Sequence, residues 1–367
     1  MLSKHFIVRR DVWTEHTIVT EERVPLASGT VELEIDRFGL TTNNATYAAL
    51  GDSFSYWNFF PRREAGWGSV PVWGFASVSR SEHPDVAIGQ RFYGYFPMST
   101  HLIVQPHKVD GSGFLDGAEH RRPLSNVYNH YRLTTTDPNY RPDTEPQQVI
   151  LRPLFGTSFF LTDFLQAEGF FGAGQLLFSS ASSKTAYGTA FLLKRQSPRD
   201  CELVGMTSRR NVDFVTRLGL YDRVITYDDV ASLSPSRKAV YIDFAGSRAT
   251  RAVVHRHFGD ALAHSSAIGA THAGALETKG EPLPGPPPTL FFAPARIKQR
   301  AEDWSPAVMW QRVAEAWNAF LVPILEPSRG WLRIESGRGD EAVKQHYDAI
   351  VRGESAPEEG RVVSLMP

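Results

Sequence analysis

The residues best suited to chemistry lie between Leu176 and Ala190. An apolar run, Gln175-Leu176-Leu177-Phe178-Ser179, gives way to Ser180-Ala181-Ser182-Ser183-Lys184-Thr185-Ala186-Tyr187-Gly188. A strand that turns tightly into a helix N-terminus presents backbone N–H groups and a positive dipole end, and both suit a pyrophosphate. The hydroxyls of Ser182, Ser183 and Thr185 add donors, and Lys184 adds a full charge. The usual Gly-x-Gly-x-x-Gly spacing is absent, so small Ala and Ser residues stand where glycines would. Gly188 is expected where helix and strand pack closely. The plainer reading is an ordinary polar turn with Ser183 or Thr185 as helix cap. The next apolar run ends Gly205-Met206-Thr207-Ser208-Arg209-Arg210, with no carboxylate in the place where an NAD site carries one. A hydroxyl followed by two arginines suits a 2′-phosphate, because guanidinium meets phosphate with charge and a planar fork. Two cations at a helix N-terminus also oppose the dipole unless an anion joins them. The pattern therefore favours NADP(H) over NAD(H).

The elements that must position these residues follow from periodicity. Thr30-Val31-Glu32-Leu33-Glu34-Ile35-Asp36 alternates as a strand with one buried face, and Val70–Val78, Gln90–Phe96 and Thr100–Val104 read as further short strands. The first 110 residues thus describe a mostly antiparallel β domain. A polar stretch near 110–147 reads first as a surface excursion and second as a lid. From about Val149 the texture changes. Helices are expected over Phe155–Gln166, Thr185–Arg195, Asn211–Leu218 and Arg248–Phe258. Strands are expected over Gln175–Ser179, Cys201–Met206, Val224–Thr226, Ala239–Phe244 and Ala261–Ile268. This alternation implies a parallel sheet covered on both faces. Beyond a proline-rich joint at Pro282–Pro288, helices are expected over Ser305–Leu321 and Asp340–Arg352.

Composition narrows the class. In 367 residues, 39 Lys+Arg against 40 Asp+Glu argue against a dedicated nucleic-acid binder. The single cysteine, Cys201, excludes a disulfide framework and a cysteine-cluster zinc site. No apolar run approaches the roughly 18 residues of a membrane span, and the N-terminus does not read as a signal peptide. A cytoplasmic protein is the expectation. Eight Trp and 23 Phe allow large apolar or stacked pockets.

The order of parts resembles the medium-chain dehydrogenase/reductase superfamily, and within it the zinc-free quinone oxidoreductases and enoyl reductases. The resemblance rests on five stretches: Phe38–Gly51 with Thr42-Asn43-Asn44 and Tyr47, Val72-Trp73-Gly74-Phe75-Ala76, Gly89–Tyr95, Arg217–Ile225 and Asp243-Phe244-Ala245-Gly246-Ser247. It is most similar to a branch that carries the Ser-Ala-Ser-Ser-Lys-Thr-Ala loop. The resemblance implies an α/β fold, a GroES-like β-rich domain plus a Rossmann-type doubly wound sheet. The implied boundaries are 1–148 for the substrate domain with its insertion, 149–288 for the nucleotide-binding domain and 289–367 for a return to the substrate domain. It also implies NADPH as cofactor, no metal, hydride transfer to an α,β-unsaturated carbonyl or quinone-like small molecule, and a possible homodimer.

By the same resemblance, Asn44, Tyr47 and Tyr56 are the candidates to hydrogen-bond the reacting oxygen, and Tyr56 lies in the aromatic run Phe54–Phe60. Family order assigns the nicotinamide side to Gly246, Ser247, Ser266, Gly269, Ala270 and the Phe291-Phe292 pair. His101 and His107 read as structural or surface residues rather than metal ligands. The competing reading is a fold relative whose cofactor is lost or non-redox, acting as a lyase, an isomerase or a nucleotide-binding scaffold.

Overall fold

The computed structural model describes residues 2–195, 200–268 and 282–367. They fall into two compact units, Met1–Ile150 with Ile334–Pro367, and Leu151–Arg333.

The first unit is β-rich. A small sheet joins β1 (Leu2–Arg9), β2 (His16–Glu22) and β4 (Trp67–Gly68) in the order β2-β1-β4. The larger sheet is built on β3 (Val31–Leu40), β5 (Pro71–Ser81) and β6 (Arg91–Pro97), which pair antiparallel. β7 (His101–Val104) also pairs with β3. Val31, Leu33 and Ile35 bury one face of β3, as its alternation requires. Glu32, on the other face, is buried as well, which period-2 reasoning does not expect. Its carboxylate takes hydrogen bonds from Arg23, Arg80 and the Ser79 hydroxyl. Burial alone would raise its pKa, but the two guanidiniums and the hydroxyl outweigh burial and hold it at about 2.

The stretch 110–147 is not a surface excursion. β8 (Pro106–Asp110), β9 (Gly113–Asp116) and β10 (His130–Leu133) continue the larger sheet in the order β6-β10-β9-β8. Phe114 and Tyr131 are fully buried. The Tyr131 ring lies against Gly94, where a Cβ would come within 2.5 Å of it, and the Tyr131 hydroxyl donates to the Tyr95 carbonyl at 2.9 Å. These two buried aromatics pack the hairpin onto the sheet that its ladder bonds extend. β17 (Arg333–Arg338) and β18 (Glu359–Ser364) close the other edge in the order β17-β18-β3. Two helices of this unit matter here: α1 (Thr42–Ala49) and α2 (Asn126–Asn129).

The second unit is a six-stranded parallel sheet. Its strands are β11 (Gln175–Phe178), β12 (Glu202–Thr207), β13 (Arg223–Thr226), β14 (Ala239–Asp243), β15 (Leu262–Ile268) and β16 (Thr289–Phe291). Their order is β13-β12-β11-β14-β15-β16, so direction of progression reverses between β11 and β14. In doubly wound sheets ligands bind at the carboxyl ends of the strands beside that reversal. The helix α3 (Glu145–Ala167) leads into this unit and starts ten residues before the stretch its apolar spacing predicts. α4 (Lys184–Lys194), α5 (Val212–Leu218) and α6 (Arg248–Phe258) connect the strands, and α7 (Ala293–Trp304) and α8 (Pro306–Ile324) follow β16. α7 escaped the sequence reading because its sparse apolar residues show no long repeat. Residues 289–333 lie in this second unit.

The Glu32 cluster yields an acid-stability prediction. A carboxylate depressed from 4.5 to about 2 contributes stability that is fully present above pH 4.5 and lost as pH falls toward 2. Denaturant titration at stepped pH should show a loss of about 2–3 kcal/mol across that window. Glu32→Gln should flatten that portion of the profile and lower stability at pH 7. An unchanged acid slope in the variant refutes the assignment.

Candidate functional site

In the second unit the site is built around the β11–α4 turn. Ser183 caps α4, its hydroxyl accepting from the Ala186 N–H at 3.3 Å. The helix therefore directs its N-terminal amides and positive end off the carboxyl end of the sheet. The turn contains no glycine, yet Ser180 adopts a left-handed φ of 47°. Two tyrosines hold that shape from outside. The Tyr227 hydroxyl accepts from the Ser180 N–H at 2.9 Å, and the Tyr221 hydroxyl donates to the Ala181 carbonyl at 2.9 Å. The Ala181 N–H bonds to the Met206 carbonyl at 3.0 Å. Room for this comes from Gly205 of β12, where a Cβ would stand 2.8 Å from the Tyr221 ring and 3.1 Å from the Ala181 Cβ. The glycine requirement has moved from the turn to the neighbouring strand. Gly188 packs closely too, but against a helix rather than a strand: its Cβ would meet the Ser158 Oγ of α3 at 2.7 Å.

The end of β12 lies beside this turn. Asn211 Nδ2 donates to the Ser182 hydroxyl at 3.2 Å, joining the two segments directly. Thr207 is buried, Ser208 is half-buried with its carbonyl accepting from Asn211 N, and Arg209 stands in solvent. The Arg209 guanidinium, 81% exposed, meets Asp228 at 3.1 Å. Such an exposed pair is weakly held and exchanges partners readily. Lys184 and Thr185 form the first turn of α4.

Across the sheet reversal, Asp243 at the end of β14 binds four donors. Its Oδ1 accepts from the Ser179 hydroxyl at 2.9 Å and the Gly246 N–H at 3.0 Å, and its Oδ2 accepts from Arg251 Nε and Nη2 at 3.0 and 2.8 Å. The Ser179 hydroxyl in turn accepts from the Ala245 N–H. Gly246 takes a φ of 64° in the turn this creates, and Ser247 caps α6. Ser266 is buried in β15 and bonds the His264 ring at 2.9 Å. Phe292 is exposed and immediately precedes α7. Gly269 and Ala270 lie outside the described residues.

In the first unit, Tyr47 and Tyr56 come together, with ring centroids 4.6 Å apart. Asn44 does not join them chemically: its Oδ1 accepts from the Thr41 N–H at 2.7 Å in a capping box at the start of α1, and its Nδ2 donates to the Pro71 carbonyl at 2.8 Å. Its neighbour Asn43 takes the part instead, donating from Nδ2 to the Tyr47 hydroxyl at 3.2 Å. The Trp73 indole N–H and the Tyr95 hydroxyl also approach the Tyr47 oxygen. Burial holds the Tyr47, Tyr56 and Tyr95 phenols above their ordinary pKa, so all three stay protonated at neutral pH. The Asn43 Nδ2 can only donate, so the Tyr47 oxygen serves it as acceptor and the Tyr47 proton is available to another oxygen.

Sequence reading missed the Asn43–Tyr47 hydrogen bond, and Tyr227 altogether. An isolated glycine in the apolar strand at 205 was the available signal, since such a glycine marks close approach of another group. Among the described residues no group of three or more His, Cys, Asp or Glu could hold a metal ion. No helix among them is long and apolar enough to cross a membrane.

The family described as "Protein of unknown function (DUF2855)" matches residues 38–356. No curated protein matches in sequence. Solved structures do resemble the chain. CurA from Vibrio vulnificus in complex with NADPH has a TM-score of 0.64 at 12% identity and covers 99% of both chains. The quinone oxidoreductase from Coxiella burnetii has a TM-score of 0.53 at 13% identity, again over 99% of both chains. The Etr1p/NADP/crotonyl-CoA complex has a TM-score of 0.57 at 11% identity, covering 99% of this chain and 100% of that one. These likenesses show a shared fold.

The Gly205 contact gives a direct test of the turn. Gly205→Ala must displace Tyr221 or Ala181, and overpacking of this kind costs about 1–3 kcal/mol. The melting midpoint should fall by several degrees, as read by circular dichroism. A midpoint equal to that of the wild type rules out the close packing.

Proposed function

The chain belongs to the DUF2855 family and has the medium-chain dehydrogenase/reductase fold, and from this premise we propose that it is an NADPH-dependent reductase of a conjugated small-molecule carbonyl. One observation carries the reading. A capped helix N-terminus of the kind that suits an anion follows β11, the end of β12 is bonded to the same turn through Asn211, and Arg209 there has only a solvent-exposed partner.

The turn fits a dinucleotide in spite of its missing glycines. The left-handed Ser180 takes the conformation that a glycine would supply, and the absent side chain at Gly205 lets Tyr221 and Ala181 pack against β12. Ser182, Ser183, Lys184 and Thr185 would surround the pyrophosphate. Thr207 and Ser208 would flank the adenosine ribose, and Arg209 would leave Asp228 for the 2′-phosphate. Gly246, Ser266, Gly269 and Phe292 remain the assignment for the nicotinamide side. When bound, NADPH supplies the hydride, delivered to the carbon β to the carbonyl.

The tyrosines of the first unit handle the oxygen. As negative charge gathers there, the Tyr47 proton supplies the hydrogen bond that stabilises it. Its raised pKa keeps that proton in place until the oxygen becomes basic enough to need it. Tyr56, whose ring packs on Tyr47, shields the site from water. Asn44 serves by fixing the start of α1, which carries both Asn43 and Tyr47.

Two measurements test this reading. Thermal-shift titration should show saturable stabilisation by NADPH, about 2.7 kcal/mol at a hundredfold excess over the dissociation constant. Arg209→Ala should weaken NADPH binding by about tenfold or more and leave NADH nearly unchanged, the loss expected for a charge-assisted phosphate contact. Equal effects on both cofactors would remove the 2′-phosphate assignment. Tyr47→Phe should lower the turnover of an enone or quinone by about 10²-fold, as removal of one oxyanion donor does elsewhere, with NADPH binding intact. NADPH binding without consumption across such a substrate panel would instead indicate the non-redox role.

A further inference from the structure

The segment between β9 and β10 is anchored in a way that a plain connection does not need. Arg121 is fully buried, and its guanidinium lies 5.1 Å from the Phe59 ring centre and 4.9 Å from that of Phe60. Its Nε donates to Asn129 Oδ1 at 2.7 Å and its Nη2 to the Tyr128 carbonyl at 2.9 Å, while Asp116 stands 3.7 Å away. Asn129 Nδ2 returns a bond to the Arg121 carbonyl at 2.7 Å. Burying a guanidinium is costly unless the geometry around it is fully satisfied. Here the return is a fixed backbone position for Tyr128.

That position brings the Tyr128 ring into the aromatic cluster of the first unit. Its centre lies 4.9 Å from Tyr95, 5.4 Å from Phe59, 6.0 Å from Trp73 and 6.2 Å from Tyr56. Tyr128, Tyr56 and Trp73 are only half-buried, and Phe54 beside Tyr56 is exposed. Beneath them lie two buried polar atoms, Trp73 Nε1 and the Tyr95 hydroxyl, neither with a hydrogen bond of normal geometry among the described residues. Buried donors left unpaired are destabilising, and they mark a place where an acceptor is wanted. The cluster therefore combines flat π faces with donors that need an oxygen.

We infer that the Asp116–Tyr131 segment is the specificity element of this site. Tyr128 forms the wall on which a flat, conjugated ring stacks. Trp73 and Tyr95 direct the ring's carbonyl oxygen toward the Tyr47 proton. Arg121 is a positioning residue that acts through Tyr128. The inference extends the reductase reading to substrate shape, and its binding arm stands apart from turnover.

The test is equilibrium dialysis of the full chain against menadione, a flat ring carbonyl, and against a linear enone of equal carbon count. Wild type should prefer menadione by about tenfold, the scale of one good aromatic contact. Tyr128→Leu should collapse that preference to within about threefold, whereas Tyr128→Phe, which keeps the ring, should retain it. Arg121→Lys keeps the charge and loses the planar fork, so it should reduce the preference as Tyr128→Leu does. A cooperative thermal unfolding transition without ligand reports whether each variant has folded, and if Arg121→Lys has not, the two Tyr128 variants decide the matter. Absence of a preference in wild type, or its survival in Tyr128→Leu, overturns the inference. If the preference follows Tyr128 while no NADPH is consumed, the reductase reading fails and this one stands. If NADPH is consumed and the preference ignores Tyr128, the reverse holds.

Discussion

One carboxylate organises the carboxyl edge of the parallel sheet. Asp243 binds Ser179 at the end of β11, Gly246 in its own turn and Arg251 on α6, so it ties together two strands and a helix at the point where strand order reverses. Removing one partner of such a buried pair leaves the other charge uncompensated, and this is the costly outcome for an interior ion pair. The arrangement survives because all four acceptor positions are used in good geometry. The turn after β11 begins at the residue that Asp243 holds. Every later feature of that turn, from the left-handed Ser180 to the cap at Ser183, starts from this fixed point.

Around that point the usual duties of a glycine-rich turn are distributed over other residues. Two tyrosine hydroxyls grip the backbone on either side of Ser180–Ala181, and a glycine one strand away makes room for one of them, Tyr221. The β-rich unit shows the same logic. Gly94 lets the Tyr131 ring lie on the sheet, and a hairpin of polar appearance becomes part of the main sheet. In both units the small residue stands on a strand, while the group it accommodates arrives from elsewhere in the chain.

This distribution explains what the sequence made legible. Strands β11 to β15 and helices α4 to α6 of the second unit followed from local periodicity, α6 over the very residues its apolar spacing marks out, while β16 and α7 did not. The order of parts carried the fold. The failures were non-local or concerned residues with two uses. Asn44 has the type and place of a hydrogen-bonding residue in a site, but the same amide makes a capping box, and nothing in its neighbours separates the two. Ser180 and Tyr227 meet across 47 positions, so no window of sequence reveals their contact. Arg121 reads as one charge in a polar stretch, and the rings that cover its guanidinium, Phe59 and Phe60, lie far upstream.

The tyrosine clamp also bears on when the turn can take shape. A glycine-rich turn reaches its conformation from local preferences alone, because glycine adopts left-handed angles without help. Here the conformation is secured by Tyr221 and Tyr227, which arrive only after β12 is laid beside β11 and the chain has passed through α5 toward β13. Contacts of that sequence separation form late, once the loop-closure entropy of the intervening chain has been overcome. The β11–α4 turn is therefore a late product of folding, and its amides should gain protection from hydrogen exchange together with the assembled sheet rather than ahead of it.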